Sequence, residues 1–126
     1  MPIRQTMRRF LLVEAVGFLM AALCHFGVLV AGYQHQAAGT AEMTIAVVLL
    51  LGLAMSYIWP GQTRLSGLGA QAFALLGTMV GTYLVVIGVG PSTVPDLVYH
   101  VAMLALLGWG LFVAARTPAG EVSVAQ

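Results

Sequence analysis

The chain alternates four long apolar stretches with short connections, each of which contains proline or glycine. A helix needs about 20 apolar residues to cross a hydrocarbon core roughly 30 Å thick, and each stretch reaches that length. None shows the alternation of residues that is typical of a membrane β-barrel strand. The pattern therefore predicts four membrane-spanning helices, at residues 10–32, 40–59, 65–89 and 94–115.

The residues between the spans are those that end and begin helices. Residues 59–61 (Trp-Pro-Gly) end the second span, because proline cannot continue a helix. Thr93 and Asp96 have the spacing of a capping box at the start of the fourth span. Short connections make consecutive helices antiparallel neighbours. The expected fold is all-α, an antiparallel four-transmembrane-helix bundle at residues 1–116 with a flexible cytoplasmic tail at 117–126.

All the basic residues fall on one side of this arrangement. They are Arg4, Arg8, Arg9, Arg64 and Arg116. Positively charged loops stay in the cytoplasm, so we expect both termini there and a multi-pass protein of the plasma (inner) membrane.

Composition narrows the class of protein further. Apolar residues make up 60% of the chain and charged residues only 7%, whereas about a quarter of a soluble domain is charged. So little polar surface excludes a soluble enzyme, and a net charge of +1 without lysine excludes the basic surface of a nucleic-acid-binding protein. The expected partner is the lipid bilayer. The single cysteine, Cys24, excludes an intrachain disulfide and a cysteine-rich metal site.

Small residues recur at three- and four-residue spacing along the third span, which places them on one helix face. They are Gly67, Ala70, Ala74, Gly77, Gly81 and Gly88. Small residues allow two helices in a membrane to approach closely. This face therefore has two interpretations: packing against a neighbouring helix of the same chain, or a seam with a second copy or another membrane protein.

One acidic residue, Glu14, lies about five residues inside the predicted first span, only about 7 Å deep. It can pair with Arg8 or Arg9, or accept a hydrogen bond from Gln71 at the matching depth of the third span. The functional alternative is a carrier of protons or cations.

The run from Leu12 to Gly17 resembles the first helix of the small multidrug resistance transporters. Those are four-span chains of similar length with one essential glutamate in that helix. The resemblance is confined to this short run, and it implies a small cation or drug transporter that uses Glu14.

A second set of polar residues gathers on the side away from the arginines. His25 and His100 both lie about 10 Å below that side, and Tyr83 falls at a similar depth. Above them come His35, Glu42 and Asp96. Glu42 and Asp96 can instead be helix caps, and each histidine can be a core residue bonded to a carbonyl or to Tyr83. Ionisable groups inside a membrane usually pair or mark a pathway, so a shared site is the alternative.

Three chemistries fit this set. His25 and His100 can ligate a haem b between them, without covalent attachment because no C-x-x-C-H motif is present. The histidines with Glu42 and Asp96 can hold a metal ion. The same four residues can catalyse an isomerase- or hydrolase-type reaction of a lipophilic molecule, with a carboxylate orienting a histidine. The alternative to all three chemistries is that the protein is a non-enzymatic accessory subunit of a larger membrane complex.

Overall fold

A computed structural model describes residues 2–120 and contains, within them, four α-helices, one short 3-10 helix and no strand. The helices are α1 (Ile3–His25), α2 (Gln36–Ile58), α3 (Thr63–Val86) and α4 (Val94–Arg116). Each packs against the next in chain order, and α1 also packs against α4, so the helices form a ring. The predicted all-α antiparallel bundle is confirmed. Most of the predicted tail lies outside the described residues.

The first helix ends at His25, seven residues before the end of the predicted span. Gly27 has a φ of +77°, which a residue without Cβ adopts readily. Its N–H donates to the carbonyl oxygen of Cys24, and the N–H of Val28 donates to that of Leu23. This pair of bonds is a Schellman motif and closes the helix. The predicted end was wrong because the chain stays apolar for several residues beyond this turn.

The third helix ends in the same way, at Val86 rather than at the predicted residue 89. Gly88 has a φ of +77°, and the N–H of Val89 donates to the carbonyl oxygen of Leu84. In the other direction, α1 and α2 begin earlier than predicted, at Ile3 and Gln36. Hydrophobicity identifies only the apolar part of a helix. The helix itself extends beyond that part as long as the backbone hydrogen bonds continue.

Three of these helices are long and apolar enough to cross a membrane: α2, the segment Pro60–Val86 that contains α3, and α4. The first helix, which was expected to be a fourth, does not share this composition over its own length. Its described residues include Arg8, Arg9 and Glu14, and the apolar residues that extended the predicted span lie beyond its end.

The antiparallel arrangement gives the bundle two chemically different ends. One end, called the arginine end below, holds the first two turns of α1, the first turn of α3 and the last turn of α4, where all five arginines lie. Arg8 contacts Ser56 in the last turn of α2, with its Nε donating to Oγ at 3.0 Å. The other end, called the histidine end, holds the connections at residues 26–35 and 87–93.

The small-residue face of α3 packs against the chain's own helices. A Cβ on Gly67 would lie 2.3 Å from the sulfur of Met7 in α1. A Cβ on Gly52 of α2 would lie 2.6 Å from Cβ of Ala70, so these two helices touch at backbone distance. Ala70 and Ala74 are buried, while Gly77 and Gly81 face Ile45 and His100. Gly88 does not belong to this face, because it lies in the turn after α3. The face is therefore used within the chain.

Candidate functional site

His25 lies between two carboxylates at the histidine end. Its Nδ1 is 2.7 Å from Oε2 of Glu42, and its Nε2 is 3.2 Å from Oδ1 of Asp96. All three side chains are buried. They come from the last residue of α1, the second turn of α2 and the first turn of α4. We call these three residues the His25 cluster.

Proton counting defines the charge of the His25 cluster. A carboxylate only accepts hydrogen bonds, and a neutral imidazole has one donor and one acceptor nitrogen. Both contacts of His25 are satisfied by a doubly protonated ring between two carboxylates, or by a neutral ring with one protonated carboxyl group. Either arrangement holds two protons among the three groups and leaves one net negative charge.

Asp96 combines the predicted cap with a contact that reaches another helix. Its Oδ2 accepts from the backbone N–H of Thr93 at 3.1 Å and from the Thr93 hydroxyl. With the return bond from the Asp96 N–H, this makes the capping box that the sequence predicted. The other oxygen, Oδ1, faces His25. The cap thus fixes the carboxylate that binds His25.

Glu42 does not cap α2, as one interpretation had it, because the helix begins at Gln36. The cap is His35, whose Nδ1 accepts from the N–H of Ala38 at 3.2 Å. The backbone N–H of His35 also donates to the carbonyl oxygen of His25 at 2.8 Å. His35 therefore has a structural role, and Glu42 is free to pair with His25.

His100 makes a different type of contact. Its Nδ1 is 2.7 Å from the backbone carbonyl oxygen of Asp96. Because a carbonyl oxygen only accepts, Nδ1 carries a proton, and in the neutral form of the ring Nε2 is then the acceptor. A Cβ on Gly81 would lie 3.1 Å from this Nε2.

The sequence predicted that His25 and His100 lie at equal depth, but they do not. His25 faces Asp96, which is four residues, or about 6 Å along the helix, nearer the end of the bundle than His100. The expectation placed His25 seven residues inside a longer helix, whereas it is the last residue of α1. Asp96 connects the two rings, its side chain to one and its backbone to the other.

Tyr99 is a site residue that the sequence analysis did not identify. Its ring lies edge-on to Phe18 and to His100, with centroids 6.1 and 5.2 Å apart. Its hydroxyl is buried without a hydrogen-bond partner among residues 2–120. The expected tyrosine, Tyr83, is 62% exposed and belongs to no cluster. The spacing of Tyr99 from Asp96, three residues on one helix, was the signal that could have found it.

Two concave surfaces flank these residues. A cavity of about 170 Å³ lies among α2, α3 and α4 and has mostly aliphatic and glycine walls. Its polar lining residues are His35, Glu42, Thr78, Tyr99 and His100. On the other side, a groove of about 510 Å³ between α1 and α4 reaches His25, Asp96 and Tyr99. We call these the histidine-end cavity and the α1–α4 groove.

The geometry does not suit the haem interpretation. Both ring nitrogens of His25 face carboxylate oxygens, so neither is free to ligate iron, and only His100 offers an open nitrogen. A metal interpretation meets a similar obstacle, since the part of the chain that is described holds no group of three or more His, Cys, Asp or Glu side chains arranged around one ion position.

The acidic residue of α1 lies deeper than expected. Glu14 is in the middle of α1, because that helix starts at Ile3. Its predicted partner Gln71 is confirmed, with Nε2 donating to Oε2 at 2.6 Å. The alternative partner Arg8 instead contacts Ser56.

Comparisons with protein families, with curated proteins and with solved structures found no match to this chain. The likeness to the small multidrug resistance transporters therefore rests on the short run in α1 alone, and the function has to be argued from the site.

Proposed function

We propose that the histidine end binds a small amphipathic molecule that carries a hydroxyl or similar donor group, and that it exchanges a proton with this molecule. The observation that carries the proposal is that two residues with unused polar atoms line one apolar cavity. They are His100, whose Nε2 has no hydrogen-bond partner among residues 2–120, and Tyr99, whose buried hydroxyl also lacks a partner there.

The size of the histidine-end cavity limits the ligand. At about 170 Å³ it is close to engineered apolar cavities of about 150 Å³ that hold one benzene ring, and it is smaller than the roughly 300–1,000 Å³ of drug-sized pockets. A single ring or a short branched chain fits this volume. A longer apolar tail would have to extend into the surrounding lipid.

The polar groups favour proton transfer over nucleophilic catalysis. His100 lines the cavity, and its neutral form has an unprotonated Nε2, as a general base requires. Glu42 lines the same cavity and shares protons with His25 and Asp96, so a proton taken from the ligand has acceptors close by. No serine or cysteine is among the described lining residues, and the hydroxyl of Thr78 donates to the backbone carbonyl oxygen of Ala74 at 2.7 Å. An isomerase-type reaction is therefore favoured over a hydrolase-type reaction that uses a nucleophile.

Binding of phenol and benzene to the purified chain tests this proposal, with ligand-observed NMR in detergent micelles as the measurement. Tyr99→Phe removes one hydroxyl, and a net hydrogen bond contributes about 0.5–1.5 kcal/mol. We therefore expect phenol affinity to fall about twofold to tenfold and benzene affinity to stay the same. Tyr83→Phe is the matched control, because its hydroxyl lies on an exposed side chain. Equal phenol affinity in the wild type and Tyr99→Phe, or no binding of either probe, would contradict the proposal.

We also propose that α1 is a fourth span and that the arginine end faces the cytoplasm of a plasma membrane, on the positive-inside rule. Single cysteines in a Cys24→Ala background test this. Ser92→Cys at the histidine end should react with an impermeant maleimide in intact cells. Gln62→Cys at the arginine end should react only after permeabilisation. The opposite pattern would reverse the orientation.

The accessory-subunit alternative gains nothing from the packing of α3. It depended on a free small-residue face for a partner, and residues of that face contact α1, α2 and α4 of the same chain.

A further inference from the structure

A second polar pair lies in the middle of the bundle, away from the histidine end. Glu14 of α1 and Gln71 of α3 have no exposed surface. Gln71 Nε2 donates to Glu14 Oε2 at 2.6 Å. The third wall is Gly110 of α4, where a Cβ would lie 2.5 Å from Glu14 Oε1. Glycine at this position therefore makes room for the pair.

Two oxygen atoms of this pair remain without partners. Glu14 Oε1 and Gln71 Oε1 are both buried and bond to nothing else in residues 2–120. They lie 2.5 and 2.8 Å from the same point, the Cβ position of Gly110, so they face one small space. Buried polar atoms of native proteins nearly always have a partner. Two acceptors without partners, side by side, therefore indicate that a hydrogen-bond donor lies between them.

An ionised Glu14 would not supply that donor. A carboxylate only accepts, so both oxygens would stay unpaired beside a buried negative charge. The atoms that face Glu14 belong to Gln71 and Gly110, neither of which is ionisable. The two ion pairs among the described residues both involve His25, and the arginine that the sequence offered as a partner, Arg8, is bound to Ser56. A buried charge without a partner is strongly disfavoured.

We propose that Glu14 and Gln71 form a neutral carboxylic acid–amide pair, which is a proton-binding site in the middle of the bundle. One proton on Glu14 Oε1 donates to Gln71 Oε1 while Gln71 Nε2 donates to Glu14 Oε2. Both orphaned oxygens gain a partner from this single proton. The site is independent of the function proposed for the histidine end, since it shares no residue with the His25 cluster.

Packing determines how this proton can exchange. The pair has no exposed surface, and its walls come from three helices. Release of the proton therefore requires α1, α3 and α4 to separate locally, so occupancy of the site and closure of the bundle are coupled.

Infrared spectroscopy of the purified chain in lipid nanodiscs tests the proposal. The wild type at neutral pH should show the C=O stretch of a protonated carboxyl group, and Glu14→Gln should lose the component of this band that Glu14 contributes. Glu42→Gln and Asp96→Asn identify any component from the His25 cluster, and both variants should keep the component from Glu14. An unchanged band in Glu14→Gln, or its absence from the wild type, would overturn the proposal.

The exchanged pair provides a second test that does not depend on the single variant. Glu14→Gln combined with Gln71→Glu restores one acid and one amide in the same space, so the band should return. Its failure to return in a folded double variant would count against the acid–amide pair.

Thermal unfolding can test whether the Glu14–Gln71 pair occupies the space beside Gly110. Gly110→Ala should lower the midpoint of thermal unfolding by about 5 °C or more, because its Cβ would collide with both side chains. Gly108→Ala is the matched control on the same helix, since its Cβ would meet nothing within 4 Å. Equal midpoints for the two variants would show that the pair does not occupy this space.

Discussion

The backbone carbonyl oxygen of Asp96 accepts a hydrogen bond from Nδ1 of His100 at 2.7 Å. This contact between residues one helical turn apart decides which nitrogen of His100 carries the proton. It leaves Nε2 of the neutral ring as an acceptor, on a residue that lines the histidine-end cavity together with Tyr99, whose hydroxyl has no hydrogen-bond partner among residues 2–120. The chemistry proposed for this end of the bundle depends on that tautomer.

The tautomer can be observed directly. We expect His100 to be protonated at Nδ1 only, because a carbonyl group holds that proton. Nitrogen NMR of the chain with isotopically labelled histidine measures this, and His100→Gln identifies the signal by removing it. A ring protonated at Nε2 alone would contradict the assignment.

Asp96 should contribute more to the free energy of unfolding than its part in the capping box alone. Thr93→Ala weakens the capping box and should cost about 1 kcal/mol. Asp96→Ala removes the cap and also leaves His25 Nε2 buried without this partner, so the loss should be about 2–4 kcal/mol. Denaturant unfolding in detergent measures both values. Equal losses would mean that the contact with His25 contributes nothing.

The absence of a side chain at Gly81 should be necessary for phenol to bind in the histidine-end cavity. Gly81→Ala places a Cβ 3.1 Å from His100 Nε2, so it should weaken phenol binding severalfold with a small effect on folding. Gly81→Leu should in addition disrupt the packing of α3. Gly69→Ala is the control on the same helix, because its Cβ would meet nothing within 4 Å. Phenol affinity unaffected by Gly81→Ala would mean that the ligand lies elsewhere.

The turn after α1 should depend on Gly27. Its φ of +77° is a left-handed conformation that disfavours a side chain by roughly 1–2 kcal/mol, and a Cβ there would also lie 2.6 Å from the Gln34 amide. Gly27→Ala should therefore destabilise the chain by about that amount or more. Gly61→Ala, with no positive φ and open space around its Cβ, should have little effect in the same thermal unfolding measurement. Similar midpoints for both variants would show that this turn is not strained.

The helices could be predicted because their cause is local. Long apolar runs and the signals at Pro60 and Thr93 are visible in the sequence, and the capping box of Thr93 and Asp96 forms as expected. Helix ends were harder to predict. The Schellman turn at Gly27 lies inside an apolar run, so hydrophobicity placed His25 well inside a helix that it terminates.

For the candidate site, the sequence predicts the depth of each residue along its helix but not the direction in which its side chain points. Depth along a helix follows from residue counting, so His25, Glu42, Asp96 and His100 were expected at one end of the bundle, where they lie. Rotation about a helix axis depends on packing against other helices. That is why Tyr83 was chosen in place of Tyr99, although Tyr83 faces outward and Tyr99 lies beside His100.

The bond from the N–H of His35 to the carbonyl oxygen of His25 has a consequence for biogenesis. It ties the start of α2 to the end of α1, so His25 and Glu42, only 17 positions apart, can meet as soon as the first two helices pair. Asp96 is 71 positions from His25 and emerges from the ribosome much later. The histidine and the glutamate of this early hairpin can thus pair before α4 is synthesised, and α4 then adds the second carboxylate to a preformed partner.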